Sequence, residues 1–227
     1  MKIYRYVDRA EIRESSTPPE GAVLLPPCVP TKIVCIGRNY AEHAKELGNE
    51  APSEPIIFLK PPSALLAPFG TIVRPAISQR VDHEGELAIV IGKRAKDVKA
   101  AHWRDYVRGF ACANDVTARD IQKRDVQFTR GKGFDTFAPI GPCIETELDV
   151  SALSVQVRVN GDIRQNGNTR DMVFPCDFLV EFITTVMTLE PGDVIFTGTP
   201  SGVGPLAAGD SVEVEIEGIG VLRNAVG

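Results

Sequence analysis

Short apolar runs, rich in valine and isoleucine and separated by glycine, proline and asparagine, recur along most of this chain. Such runs between turn signals are typical of β-strands. The runs that predict strands span residues 33–37, 56–60, 87–92, 153–159, 194–198 and 212–216. Asn160-Gly161 lies between two further strand-like segments and predicts a tight hairpin, because both positions tolerate a positive φ angle. The chain is therefore predicted to be rich in β-structure.

Helical periodicity is confined to a few short segments, at residues 40–47, 100–106, 117–123 and 177–187. In the last segment an apolar stripe is predicted to face the core; it consists of Phe178, Leu179, Phe182, Ile183 and Val186. Prolines punctuate residues 1–30, which are predicted to form a short N-terminal extension before a main domain over residues 31–227. The predicted fold class is α+β, β-rich with few short helices.

Composition and charge exclude several classes of function. A chain of 227 residues with 43% hydrophobic content is long enough to bury a substantial core. Its net charge of -5 and the lack of a basic stripe argue against nucleic acid as a partner. No apolar stretch reaches the length of a membrane span, and the N-terminus lacks the apolar core of a signal peptide. The five cysteines form no C-x-x-C pair, which favours a cytoplasmic protein with reduced thiols and no membrane partner.

Three acidic residues in strand-like segments form a candidate metal site. Glu84 and Glu86 are two positions apart at the start of a β-branched run, so a strand would place both on one face. Two neighbouring carboxylates repel each other, and a cation between them removes that repulsion. Asp115 ends another apolar run and could supply a third oxygen. An all-oxygen set favours Mg²⁺ or Mn²⁺ over Zn²⁺, with Ca²⁺ also compatible. The alternative is a solvated strand face with ordinary surface carboxylates.

His43 and Glu46 form a candidate acid/base pair upstream of these carboxylates. They are three positions apart in a segment predicted to be helical, so both side chains share a face. A carboxylate beside an imidazole holds the tautomer of the ring and raises its basicity, as proton transfer from water near neutral pH requires. The alternative is an ordinary amphipathic surface helix. His83 is predicted to point to the opposite strand face from Glu84 and to have a structural role.

Two glycine-rich segments are candidate ligand-binding loops. Lys132 lies between two glycines, which allow backbone and ammonium to approach a ligand closely. Residues 197–204 follow a predicted strand but lack the Gly-Lys-Ser/Thr ending of a phosphate-binding loop. This second loop is better suited to offer backbone N–H groups and the Thr199 hydroxyl to a small carboxylate. A mobile loop and a tight turn are the respective alternatives.

The order of these motifs resembles the fumarylacetoacetate hydrolase superfamily, in its small single-domain acylpyruvase or fumarylpyruvate hydrolase branch. The resemblance runs from about Ile33 to the C-terminus. The motifs that carry it are Gly37-Arg38-Asn39-Tyr40 with His43 and Glu46, Phe58-Leu59-Lys60-Pro61, His83-Glu84-Gly85-Glu86-Leu87, Asn114-Asp115-Val116-Thr117-Ala118-Arg119-Asp120, Lys132-Gly133-Phe134-Asp135-Thr136-Phe137 and Thr197-Gly198-Thr199-Pro200-Ser201-Gly202-Val203-Gly204.

The resemblance implies a mixed β-sandwich roll, a homodimer, and Mg²⁺ or Mn²⁺ bound by the three carboxylates. It implies that His43 and Glu46 lie on a lid over the substrate and that Lys132 and Gln122 assist the oxyanion. The substrate-binding residues that it implies are Arg38, Tyr40, Lys60, Gly198 and Thr199.

The expected substrate is a small 2-oxo acid with a second carbonyl group at carbon 4. In the expected reaction, His43 and Glu46 activate a water molecule, and cleavage of the C–C bond releases pyruvate and a carboxylic acid. Fold and metal do not choose among related reactions. The alternatives are an isomerase or decarboxylase in aromatic catabolism that acts on dienedioates or oxaloacetate through an enolate, and a metal- or ligand-binding protein without turnover.

Overall fold

The structure is a computed structural model that describes residues 1–46, 48 and 50–227. Its strands, in chain order, are β1 Lys2–Asp8, β2 Glu11–Ser15, β3 Val23–Leu24, β4 Ile33–Gly37, β5 Ile56–Lys60, β6 Leu65–Leu66, β7 Thr71–Ile72, β8 Val81–His83, β9 Gly85–Ile91, β10 Val107–Asn114, β11 Thr117–Ala118, β12 Ala138–Glu145, β13 Ser154–Val159, β14 Asp162–Asn168, β15 Val194–Phe196, β16 Gly204–Pro205, β17 Ser211–Ile216 and β18 Gly220–Val226. The α-helices are α1 Ala41–Glu46, α2 Arg119–Arg124, α3 Thr129–Lys132 and α4 Cys176–Val186, and short 3₁₀ helices span Pro62–Ala64, Ala100–Tyr106 and Thr169–Asp171.

A large mixed sheet runs through the centre of the molecule in the order β2-β1-β12-β10-β9-β15-β4-β5, with β3 and β6 attached to its flank. Most neighbours are antiparallel, but β15 and β4 are parallel. Every residue of β9 is buried, because both faces of this central strand are covered. A continuous apolar sequence is what a strand buried on both faces requires.

A second sheet, in the order β14-β13-β17-β18-β7, packs against one face of the central sheet. Its strands β13 and β17 alternate between buried and half-buried residues, as expected for a sheet with one face toward the core. Leu87 and Ile89 of β9 and Val157 and Val214 of the second sheet belong to the same apolar cluster between the layers. The predicted β-rich sandwich with few helices is therefore confirmed.

A small third sheet, β11-β8-β16, lies beside the central sheet. The chain leaves this sheet at His83 and enters the central sheet at Gly85, so Glu84 lies at the junction. Glu84 and Glu86, which the sequence predicts to lie on one strand, are thus at this junction and within β9, respectively. This junction brings the polar residues described below to one place.

Local predictions agree with the structure in most cases. The predicted hairpin joins β13 and β14, and its Asn160 and Gly161 have φ angles of 54° and 87°. Helix α1 covers most of the predicted segment, whose last residue, Leu47, lies outside the described residues. The apolar stripe of α4 is only partly core, since Phe178 and Val186 are 41% and 59% exposed. All five cysteines are free and buried, and no helix in the described residues has the length and apolarity to cross a membrane.

Candidate active site and metal centre

The three predicted metal ligands meet in the structure. Glu84 lies at the junction of two sheets, Glu86 on β9, and Asp115 directly after the neighbouring strand β10. All three side chains are buried, and one carboxylate oxygen from each lies within 4.8 Å of the other two.

Hydrogen bonds to the surrounding backbone fix the position of this acidic segment. The Glu84 N–H donates to Asn114 Oδ1 at 2.9 Å, and the Glu84 carbonyl oxygen accepts from the Asp115 N–H at 2.8 Å. The Gly198 N–H donates to Glu86 Oε2 at 2.6 Å. Because their backbone and side chains are held in this way, the carboxylates are oriented before any ligand binds.

Three buried cations surround the carboxylates. Lys132 Nζ lies 2.9 Å from Glu84 Oε2 and 2.6 Å from Asp115 Oδ2. Arg119 contacts Glu84 Oε1 and Asp82, and Lys60 Nζ lies 2.8 Å from Asp115 Oδ1. Buried carboxylates need such partners, since an isolated ion in a protein interior is costly.

The carboxylates differ in electrostatic environment. Burial, with the added charges of Asp115 and Glu84, raises the pKa of Glu86 well above its ordinary value. Burial has the same tendency at Glu84, but Lys132 and Arg119 outweigh it and lower the pKa of Glu84. Within the described residues, buried cations form ion pairs with Glu84 and Asp115 but not with Glu86.

The residues present fit a hard divalent cation. In the described part of the chain, Asp115 Oδ1 is buried and accepts no hydrogen bond, although the Lys60 ammonium is close. A cation would complete the coordination of this oxygen and offset the repulsion that raises the pKa of Glu86. Glu84, Glu86 and Asp115 would supply carboxylate oxygens only, which is the ligand set that Mg²⁺ and Mn²⁺ prefer.

A cavity of about 400 Å³ opens over the carboxylates. Its walls are formed by Ile36, Gly37, Arg38, His43, Glu46, Phe58, Arg80, Asp82, Glu84, Glu86, Asp115, Arg119, Gln122, Lys123, Phe128, Lys132, Thr199 and Val203. This volume and the mixture of aromatic and charged walls are typical of sites for small ligands.

The predicted acid/base pair is assembled at this cavity. His43 Nδ1 lies 3.2 Å from Glu46 Oε2, and His43 is buried. A carboxylate only accepts, so Nδ1 carries the proton of the neutral ring and Nε2 is free to accept one. The Gly202 N–H donates to both Glu46 oxygens at 3.1 and 3.2 Å, which ties helix α1 to the loop after β15.

Four other predicted residues line the same cavity. Arg38 and Lys132 contribute positive charge, and Gln122 Oε1 accepts from Arg119 at 2.7 Å, which leaves the Gln122 amide N–H groups to donate. Thr199 also lines the cavity, but its hydroxyl donates to the Gly85 carbonyl oxygen at 2.8 Å. The Thr199 hydroxyl hydrogen is therefore already used within the protein.

The structure does not bring Tyr40, Lys60 or Gly198 to the cavity wall, where the sequence prediction put them. Tyr40 is 3% exposed and packs in the core, and the Gly198 N–H is used by Glu86. Lys60 Nζ donates to the carbonyl oxygens of Val116, Lys132 and Phe137 and so lies beneath the carboxylates. Lys60 and Gly198 therefore contact the carboxylates in this structure, and a role of either residue toward a substrate stays a prediction.

The sequence prediction assigned no role to several residues that shape the site. Arg119 joins Glu84 to Gln122, and Asn114 holds the Glu84 backbone. Arg80 and Lys123 add positive charge at the cavity wall. Arg119 and Asn114 lie in the motif that flanks Asp115, which was the one available signal. His83, predicted to be structural, is buried with Nδ1 3.1 Å from Gln165 Oε1.

The chain belongs to the fumarylacetoacetate hydrolase family. The family model described as fumarylacetoacetate (FAA) hydrolase C-terminal matches residues 32–227. The relationship expected from the motifs is thereby confirmed at the level of the family, whose members include enzymes of several reaction types.

Individual relatives carry different activities. The mitochondrial oxaloacetate tautomerase FAHD2A of Bos taurus is 45% identical over 219 residues, which cover 91% of this chain and 70% of the relative. The crystal structure of 5-carboxymethyl-2-hydroxymuconate delta-isomerase from Mycobacterium smegmatis is 40% identical with a TM-score of 0.93, and the match covers 100% of this chain and 99% of that chain. Fumarylpyruvate hydrolase from Pseudomonas aeruginosa, solved with Mn²⁺ and pyruvate, is 32% identical with a TM-score of 0.82, covering 86% of this chain and 88% of that one.

These relatives support the predicted enzyme class but not one branch of it. They comprise a tautomerase, an isomerase and a hydrolase, so the acylpyruvase branch is not singled out. The triad of buried carboxylates is able to bind a metal ion, and one structural neighbour contains Mn²⁺.

Proposed function

We propose that this protein is a divalent-metal-dependent enzyme that moves a proton at carbon 3 of a small 2-oxo acid, as in keto–enol tautomerisation or a double-bond shift. The observation that carries the proposal is the meeting of a buried carboxylate triad and a His43–Glu46 pair at one cavity. When bound, Mg²⁺ or Mn²⁺ would withdraw electrons from the 2-oxo group and acidify the neighbouring C–H bond. The names of the 40% and 45% identical relatives, an isomerase and a tautomerase, support this choice of reaction.

Side chains of the protein would attract the substrate, transfer the proton and stabilise the developing negative charge. Arg38 and Lys123 place positive charge where an anionic substrate enters. His43 accepts the proton from carbon 3 at Nε2, while Glu46 stabilises the imidazolium that forms. The same nitrogen then returns the proton to an oxygen or to another carbon of the substrate. Gln122 and Lys132 donate hydrogen bonds to the oxygen on which negative charge develops.

Hydrolysis of an acylpyruvate is the second candidate function. Here His43 would accept a proton from a water molecule that attacks the carbonyl at carbon 4, and cleavage would give pyruvate and a carboxylic acid. The contact between His43 and Glu46 supports this reaction, because an imidazole held by a carboxylate is suited to accept a proton from water. The fumarylpyruvate hydrolase of Pseudomonas aeruginosa is the relative that supports it.

A single panel of assays tests both candidates. The purified protein, loaded with Mn²⁺ or treated with EDTA, is mixed with oxaloacetate, acetylpyruvate and fumarylpyruvate, and enol absorbance, pyruvate and CO₂ are followed. Faster loss of the enol of oxaloacetate than in buffer, without release of pyruvate, supports the proton shift. Pyruvate with an equimolar acid supports hydrolysis, and CO₂ from oxaloacetate indicates decarboxylation. Lack of metal-dependent turnover with all three substrates would refute the proposed function.

A further inference from the structure

Gln165 is a buried amide on β14 whose polar atoms are all engaged. Gln165 is 0% exposed to solvent. Oε1 accepts from the Gly85 N–H at 2.9 Å and lies 3.1 Å from His83 Nδ1. Nε2 donates to Thr199 Oγ1 and to the Pro200 carbonyl oxygen, both at 2.7 Å. A primary amide offers two acceptor and two donor positions, so its capacity is fully used.

The oxygen of this amide holds the segment that carries two of the carboxylates. The chain crosses from one sheet to another at Glu84. At this crossing, side-chain oxygens rather than carbonyl oxygens of a neighbouring strand accept the hydrogen bonds of two successive backbone N–H groups. Asn114 Oδ1 accepts from the Glu84 N–H, and Gln165 Oε1 accepts from the next N–H, that of Gly85. A Cβ atom on Gly85 would lie 2.2 Å from a methyl carbon of Val157, so the backbone is pressed against the second sheet at this point.

The nitrogen of the amide holds the loop on the other side of the cavity. Thr199 lines the cavity, and its hydroxyl also donates to the Gly85 carbonyl oxygen. Three residues further on, the Gly202 N–H donates to both Glu46 oxygens. Gly202 rests on β14, because a Cβ atom there would lie 2.2 Å from the carbonyl oxygen of Arg164. One side chain thus joins the carboxylate segment to the loop that supports the His43–Glu46 pair.

We propose that Gln165 is a positioning residue that sets the spacing between the metal-binding carboxylates and the acid/base pair. It touches neither a carboxylate nor the cavity, and it acts through the Gly85 backbone on one side and through Thr199 and Pro200 on the other. The catalytic half of this inference rests on the proposed function, whereas the half that concerns metal affinity does not.

A purely packing role makes a different prediction. If Gln165 only filled space, its loss would lower the melting temperature and the yield of folded protein. The folded fraction would still bind Mn²⁺ with wild-type affinity and would keep its kcat and KM. Metal affinity and the split between kcat and KM therefore distinguish positioning from packing.

The test compares Gln165→Met and Gln165→Glu with Gln156→Met, which changes a partly exposed amide on the adjacent strand β13. Mn²⁺ affinity is measured by EPR titration, and kcat and KM by the assay above, per mole of folded protein. Gln165→Met removes all four contacts and is expected to weaken Mn²⁺ binding and lower kcat, each by about 10–100-fold. Gln165→Glu keeps an acceptor toward Gly85, so its kcat should fall by more than its Mn²⁺ affinity. Gln156→Met should match the wild type.

A softer variant covers the case in which Gln165→Met does not fold. Thr199→Val removes one partner of Gln165 Nε2 and is expected to lower kcat as well. In the double variant with Thr199→Val and Gln165→Glu, the loss of kcat should be smaller than the product of the two single losses. Wild-type Mn²⁺ affinity, kcat and KM in the folded Gln165 variants, or additive effects in the double variant, would overturn the inference. A wild-type protein that binds Mn²⁺ but converts no 2-oxo acid would refute the proposed function alone, and the Mn²⁺ titrations would still decide the role of Gln165.

Discussion

Glu46→Gln separates the two roles of the Glu46 carboxylate, which accepts a hydrogen bond from the Gly202 N–H and also orients the His43 ring. The glutamine retains an oxygen that accepts from the Gly202 N–H, so the contact between helix and loop survives. Its nitrogen only donates, and His43 Nδ1, which lies 3.2 Å from Glu46 Oε2, must then become an acceptor. The substitution therefore favours the tautomer with the proton on Nε2, which is the opposite of the tautomer that the carboxylate favours.

The expected loss follows from that change of tautomer. An imidazole with a proton on Nε2 cannot accept another one there, and general bases contribute about 10²–10⁴-fold to rates. The Glu46 side chain is 34% exposed, so water competes with the carboxylate for His43, and the lower part of the range is expected. We predict that kcat falls by about 10²–10³-fold. KM and Mn²⁺ affinity should remain near the wild-type values, because Glu46 is not among the three candidate metal ligands.

Steady-state kinetics with the substrate found in the assay panel, together with Mn²⁺ titration, measure these quantities. The matched control is Glu42→Gln, which changes an exposed carboxylate on the same helix and should leave kcat unaltered. A kcat for Glu46→Gln close to that of the wild type would refute proton transfer through His43. The result also bears on the reaction, since a decarboxylase that needs no activated water would lose much less.

Four further substitutions test other parts of the structure. Lys60→Met removes one of the two buried cations that contact Asp115 and should destabilise the fold by about 3 kcal/mol in urea denaturation. Arg38→Met and Lys123→Met should each raise KM about tenfold for a substrate with two carboxylates, with kcat unaltered in steady-state assays, because each removes a positive charge that is proposed to attract an anionic substrate. Asp193→Asn should cost about 3 kcal/mol of stability in thermal melts, since Asp193 accepts five hydrogen bonds that include two it would lose. Burial alone would raise the pKa of Asp193, but these hydrogen bonds outweigh it and lower that pKa. The stability that they provide is present above the unfolded pKa and is lost as pH falls through the folded pKa. Wild type and variant should therefore begin to converge below about pH 4.

The residues that could be predicted from the sequence are those whose geometry depends on local periodicity. Glu84 and Glu86 were predicted to meet because they are two positions apart, and their carboxylates do meet although Glu84 lies at a junction between strands. His43 and Glu46 meet because they are three positions apart on one helix. Asn160 marked its hairpin for a similar reason, since its positive φ angle belongs to the turn itself. In each case the partner lies within a few positions along the chain.

Several contacts that the sequence did not reveal join residues that are distant along the chain. The carbonyl oxygens and the carboxylate that hold Lys60 lie 55 or more positions away, so its burial beneath the carboxylates left no local trace. Gly198 likewise donates to a carboxylate 112 positions away, and its glycine-rich surroundings suggested a substrate loop instead. Periodicity in α4 also misled, because Phe178 and Val186 continue the apolar stripe yet remain exposed.

The charges of the site explain why a divalent cation and an anionic substrate would suit it together. Four buried carboxylates surround the floor of the cavity, against three buried cations; the acids are Asp82, Glu84, Glu86 and Asp115, and the cations are Lys60, Arg119 and Lys132. Contacts join the cations to every acid except Glu86, which accepts one hydrogen bond from Gly198 and whose pKa is raised by burial and by its acidic neighbours. With all four acids ionised, these seven groups carry a net charge of about -1, and a divalent cation beside Glu86 would change it to about +1. A single carboxylate from a 2-oxo acid would then bring the net charge of the site to about zero. The metal would thus offset the excess negative charge of the protein, and the substrate would offset the positive charge that the metal adds.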